Sequence, residues 1–193
     1  MARRSTLHRL RLATIPLAVL GALALVLVAE AGAGQTRTVI SVLYPRAYQD
    51  LQSLKHDSDI AVRGTVVSTA PFSVPGSNIP TTEATIRVVQ EIFNKPTVIA
   101  PSIGTNIGVV QTGGWVNGSL AQVEEDPLLT PGENVVLFLH QVGERTYNVE
   151  GGPWGRFEIG VDGRVTSRAN AQGSPLGAAH PTTAEFIAEI QNV

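Results

Sequence analysis

From residue 58 onward, apolar and polar residues mostly alternate, and a period of two predicts strands. In residues 60–69, Ile60, Val62, Gly64 and Val66 fall on one face and Ala61, Arg63, Thr65 and Val67 on the other. A glycine inside such a run predicts a bulge or bend. Residues 82–93 repeat the pattern through Ala84, Ile86 and Val88, and residues 106–112 give a third strand closed by Gly113-Gly114. Residues 134–140 differ, because N-V-V-L-F-L-H is nearly unbroken in its apolar character. That is the mark of a short strand buried on both faces. A fifth strand is expected at 147–150, broken by Gly151-Gly152-Pro153. A sixth at 156–161 returns through 164–167 across Asp162-Gly163, a strong hairpin signal. Residues 71–80 and 115–129 read as loops, the second long and mostly polar, and 97–107 as a loop with fragments of strand.

Two stretches have helical spacing instead. Ala47, Tyr48, Leu51 and Leu54 predict a short amphipathic helix over 46–55, with Pro45 at its start. At the other end, Thr182-Thr183-Ala184-Glu185 is a capping box, and Phe186, Ile187, Ile190 and Val193 form an apolar stripe. The expected architecture is all-β: an OB-like barrel of five or six antiparallel strands, with a short N-terminal helix and a C-terminal capping helix. The domains divide as 1–34, 35–55 (linker and short helix), 56–168 (barrel) and 169–193 (linker and capping helix).

The first segment is of another kind. Four arginines and no acid occupy residues 1–11, and residues 12–29 are then an apolar run. Ala29-Glu30-Ala31 supplies small residues at the positions a signal peptidase reads, with Ala31-Gly32-Ala33 as a second choice. Cleavage is the favoured expectation. Because the run is long for a signal and close to the minimum for a membrane span, an uncleaved anchor helix is the rival. Either way the domain is exported across the cytoplasmic membrane, to be secreted or held with its body outside.

Composition narrows the chemistry. Nineteen glycines and twelve prolines suit a fold with many turns, and the absence of cysteine excludes disulfides, thiol nucleophiles and Cys-ligated metals. The full chain has 14 basic and 16 acidic residues, a net charge of −2. Removal of residues 1–31 takes Arg3, Arg4, Arg9, Arg11 and Glu30, leaving 10 basic and 15 acidic residues and a net charge of −5. An acidic domain argues against a nucleic-acid partner, which would draw on a basic face.

Three segments carry a resemblance: residues 58–69 (S-D-I-A-V-R-G-T-V-V-S-T), 81–93 (T-T-E-A-T-I-R-V-V-Q-E-I-F) and 132–157 (G-E-N-V-V-L-F-L, then G-G-P-W-G-R-F). Their order resembles exported bacterial proteins with no established function and small OB-like barrels, in some ways similar to the barrel of tissue metalloproteinase inhibitors. Those inhibitors insert an N-terminal cysteine at the catalytic metal. This chain has no cysteine, so inhibition by that route is not implied.

Reactive constellations are hard to find. Gly118-Ser119-Leu120 lacks the second glycine of a nucleophile elbow. His140 ends an apolar strand and His180 precedes a proline, without a recognisable serine and acid in train. The acidic loops at 56–59 and 124–126 lack the spacing of a calcium loop and read as solvated turns. Glu150 and Glu158 flank the Gly-Gly-Pro-Trp loop, and only their separation would make them a catalytic pair. No catalytic residue, metal ligand or cofactor is assigned. Trp115 and Trp154 are the candidate ligand-binding residues, because loops on a rigid scaffold carry recognition and tryptophan is favoured at contacts. The alternative is that both cap the barrel ends as core plugs. The expected partner is an envelope protein, peptide or glycan, plus the membrane through residues 12–29 if they are retained; a hydrolase with an unrecognised site is the second reading.

Overall fold

The computed structural model describes residues 37–44, 46–169, 173, 176 and 182–193. The expected signal or anchor segment at 1–34 and most of the expected linker at 169–181 lie outside the described residues. Among those described, no helix is long and apolar enough to cross a membrane.

The chain is mostly sheet. In order it runs β1 (Arg37–Ile40), α1 (Leu51–Asp57), β2 (Ile60–Phe72), β3 (Thr81–Asn94), β4 (Asn106–Val116), β5 (Ser119–Val123), β6 (Asn134–Gly143) and β7 (Thr146–Val149). A 3-10 turn at Gly152–Gly155 leads to β8 (Arg156–Ile159), β9 (Val165–Ser167) and α2 (Thr183–Asn192). The strands hydrogen-bond in the order β1-β5-β4-β3-β2-β6-β8-β9, while β7 pairs with both β4 and β6. The expectation of five or six antiparallel strands is corrected on two counts. Nine strands are present among the described residues, and β1–β5 and β4–β7 run parallel. The extra strands at 37–40 and 119–123 are short and pair with each other across some eighty residues, so the first has no local partner and the second is marked locally only by the turn before it. Asn117 (φ 50°) and Gly118 (φ 82°) make the tight turn that brings β5 back along β4.

Side-chain alternation explains why the sheet is covered on both faces. From β6, Val135, Leu137 and Leu139 join a cluster with Ile60, Val62, Ile86, Val109 and Tyr147. Val136 and Phe138 point the other way, into a layer with Leu51, Leu54, Phe157, Phe186 and Ile190. A strand that feeds two cores has no polar face to show, which is why residues 135–139 read as a continuous apolar run. Gly64 lies at a register shift in β2, where a Cβ would overlap Ile86 Cγ2 and stand 2.9 Å from the Arg87 carbonyl.

The helices close the second layer. Asp50 caps α1 by accepting from the Ser53 N–H at 2.7 Å, so the helix starts later than its apolar spacing suggests. Thr182 caps α2, with its Oγ1 accepting from the Glu185 N–H as the capping box requires. Phe186, Ile187 and Ile190 of α2 are buried, whereas Val193 is exposed. Lys55 of α1 donates to the carbonyls of Ile190 and Val193, placing a cation at the negative end of α2.

Candidate functional site at the Trp115 turn

Gly113 and Gly114 were expected to end a strand; instead β4 passes through them. Gly113 has φ 124°, and a Cβ there would come within 2.9 Å of the Ala121 carbonyl, so only glycine allows β4 and β5 this approach. Thr82 Oγ1 donates to the Gly113 carbonyl at 2.8 Å and fixes the bend to β3. Trp115 then pairs with Leu120 across the β4–β5 hairpin. It is 57 % exposed, and Val116 beside it is also open.

Opposite the turn lies the loop between β2 and β3. It is pinned by the Ser77 N–H to the Val74 carbonyl, the Ile79 N–H to Ser77 Oγ, and the Gly113 N–H to the Pro80 carbonyl at 2.7 Å. Between loop and turn is a shallow cleft of about 220 Å3 whose walls include Phe72, Val74, Ile79, Pro80, Trp115 and Val116. The rest of the lining is serine, threonine, asparagine, glycine and proline, with no ionisable side chain. Such a surface offers apolar area and a few neutral hydrogen-bonding groups. It has no acid or base for proton transfer.

Trp154 stands elsewhere and does other work. In the 3-10 turn its ring meets Tyr44 edge-on, 5.8 Å between centroids, and it packs on the layer beneath the helices. Its indole N–H is buried without a hydrogen-bond partner among the described residues. Gly151 and Gly152, both with positive φ, make room for tyrosines: a Cβ on Gly151 would stand 2.7 Å from the Tyr48 ring, and one on Gly152 would overlap Tyr44. Residues 41–44 and 46–50 thus form a strap over the loop, and Trp154 is part of its seat. The structure does not bring the two candidate tryptophans together; Trp115 faces outward, and Trp154 packs against Tyr44 and the layer beneath the helices.

A buried charge network escaped the sequence reading. Arg156 has no exposed surface, yet it lies 2.9 Å from Glu133, 3.2 Å from Glu158 and 3.5 Å from Asp126. Asp126 is only 7 % exposed. Burial raises its pKa from the ordinary carboxylate range, and the Arg156 charge opposes the rise. Tyr44 donates to it at 3.5 Å, and burial together with the Asp126 and Glu125 charges pushes the Tyr44 phenol up. The acidic stretch 124–126 is therefore a solvated turn only at Glu124 and Glu125. Asp126 was legible only as an acid beside a proline, since its partner lies 30 residues away.

The remaining candidates resolve into pairs. His140 Nδ1 lies 2.9 Å from Asp59, which also accepts from the Gln141 N–H. Among the described residues no hydroxyl hydrogen-bonds to His140. Glu150 accepts from Tyr48 at 2.6 Å while Glu158 serves Arg156 and Arg168, so the two acids have separate partners. Asp57 lies among His56, Tyr48 and Arg46, and the hydrogen bond to His56 leads the effects that lower its pKa. Among the described residues no cluster of His, Asp and Glu could hold a metal ion. His180 lies outside them. No protein-family model matches the chain, and no curated protein is significantly similar to it.

Proposed function

We propose that this chain is an exported, non-enzymatic domain that makes contact at the cell envelope through its loops, with Trp115 as anchor. The observation that carries the reading is Trp115 itself: a large aromatic more than half exposed beside an uncharged cleft. Tryptophan held open on a pinned turn contributes contact area at low entropic cost. An OB-like barrel is the fold this reading assumes. Its support is the cycle of pairings β2-β3-β4-β7-β6 back to β2, around an apolar cluster to which all five strands contribute.

The test is retention of an envelope component by the full chain against Trp115→Ala. Trp115 buries little, so the substitution should change stability by less than about 1 kcal/mol while abolishing retention. Equal retention by both proteins ends the reading. The hydrolase alternative rests on the Asp59–His140 pair. Under that alternative His140→Ala removes an esterase or amidase activity; a chain inactive on such substrates before and after substitution leaves no case for it.

A further inference from the structure

The Trp115 turn shares one end of the sheet with the chain's entry into the domain. β1 runs parallel to β5 with Arg37 opposite Leu120, and Leu120 faces Trp115 on its other side. Arg37 and Trp115 are thus two strand spacings apart, about 10 Å. Residues 30–36 (E-A-G-A-G-Q-T) alone separate Arg37 from the apolar run at 12–29. Fully extended, such a spacer reaches about 25 Å. The run is long enough to cross a hydrocarbon core as a helix, with its arginines left on the cytoplasmic side. A domain tethered this way has its Trp115 end within reach of the outer surface of the same membrane.

What is exposed at that end matches a lipid interface. Trp115 and Val116 project at the turn, Phe72, Val74 and Ile79 line the neighbouring loop, and the cleft between carries no charge to desolvate. Tryptophan is enriched where hydrocarbon meets headgroup, because its ring is apolar and its N–H seeks a polar neighbour. Glu124 and Glu125 follow the far end of β5, away from the turn. Of the other strongly exposed apolar residues, Ile99 and Ile103 lie in the loop before β4, at the opposite end of that strand, Val161 lies between β8 and β9, and Leu43 follows the far end of β1. They lack the adjoining tether.

We propose that the partner of the Trp115 face is the lipid bilayer: the β4–β5 turn and the β2–β3 loop rest in the interface of the membrane that holds residues 12–29. This rests on the contact-surface reading above, takes the uncleaved anchor rather than the cleaved signal as the fate of residues 12–29, and names the partner.

The chain has two tryptophans and no cysteine, so each end can be reported separately. Trp154→Phe leaves Trp115 as the sole indole in the full chain. In vesicles of phosphatidylcholine with a minor fraction of phosphatidylglycerol, lipids brominated near the headgroup should remove most of its emission. In Trp115→Phe the remaining Trp154 should be unaffected. Independently, an environment-sensitive dye on Val116→Cys should shift to the blue in the vesicles, and the same dye on Ile103→Cys should not. Unquenched Trp115, entry of the Ile103 dye instead, or loss of residues 1–31 from the protein recovered from its own membranes each overturns the proposal. If lipid leaves Trp115 unquenched but an envelope protein fraction shields it from acrylamide, the contact surface stands with a protein partner. If neither changes its emission, both readings fall.

Discussion

Replacing Arg156 with alanine would leave Asp126, Glu133 and Glu158 around a buried space whose central cation is gone, with Arg168 still bonded to Glu158 at the rim. The expected loss is about 3–5 kcal/mol, the range for breaking a buried charge pair by removing one partner. Urea denaturation measures it. Arg168→Ala, at the partly exposed rim of the same network, should cost less than about 1 kcal/mol. Asp126 makes the network pH-sensitive in an unusual direction. Its folded pKa is raised by burial, so ionising it costs the folded state more than the unfolded one. Stability relative to Asp126→Asn should therefore fall as pH rises from the unfolded carboxyl value through the folded one. The slope cannot exceed about 1.4 kcal/mol per pH unit for one proton. Denaturation midpoints of the two proteins in acid and at neutrality decide this; a difference that stays constant across the range contradicts the account. None of this was legible in the sequence. An arginine at a strand start and an acid in an acidic turn look solvated until the fold brings them together.

At the scale of elements, legibility follows how far a segment's partners lie along the chain. The strands at 60–72, 81–94 and 134–143 were visible because alternation or unbroken apolarity is written within each. The strand at 37–40 looked like a linker because its neighbour is β5, and β5 looked like loop because it is five residues long with polar flanks. Asn117-Gly118 was the one local clue, a hairpin signal of the same kind as Asp162-Gly163. Gly113-Gly114 misled in the opposite sense, since β4 runs on through them close against β5. Gly151-Gly152 end β7 as expected and, in a second role, give room for aromatic rings. Gly152→Ala tests the second role. It combines positive φ with overlap on the Tyr44 ring, so a loss of about 2–4 kcal/mol is expected. Trp154 emission should shift as Tyr44 leaves its edge. An unchanged spectrum would mean that the strap is not seated there.

For the molecule as a whole, the all-β class was readable and the number and direction of its strands were not. Burial is divided unequally: two large clusters lie on the faces of β6, and a third, around Ile40, Ala121 and Val123, serves β1 and β5. Small clusters open at lower free energy than the global core. Ile40→Ala should remove about 2 kcal/mol locally, speeding amide exchange in β1 and β5 roughly thirtyfold while β6 keeps its protection. Equal acceleration in β6 would show that the sheet opens only as one unit.

The strap of residues 41–44 and 46–50 also sets a timetable for biosynthesis. Tyr44 closes on Asp126 and Gly152, and Tyr48 on Glu150. Those partners are translated long after the tyrosines, 102 residues later in the case of Glu150. The earliest part of the domain to leave the ribosome is therefore among the last to find its place. Until then its aromatic rings stay bare, and a nascent chain arrested before Gly151 should be an avid client for a holdase.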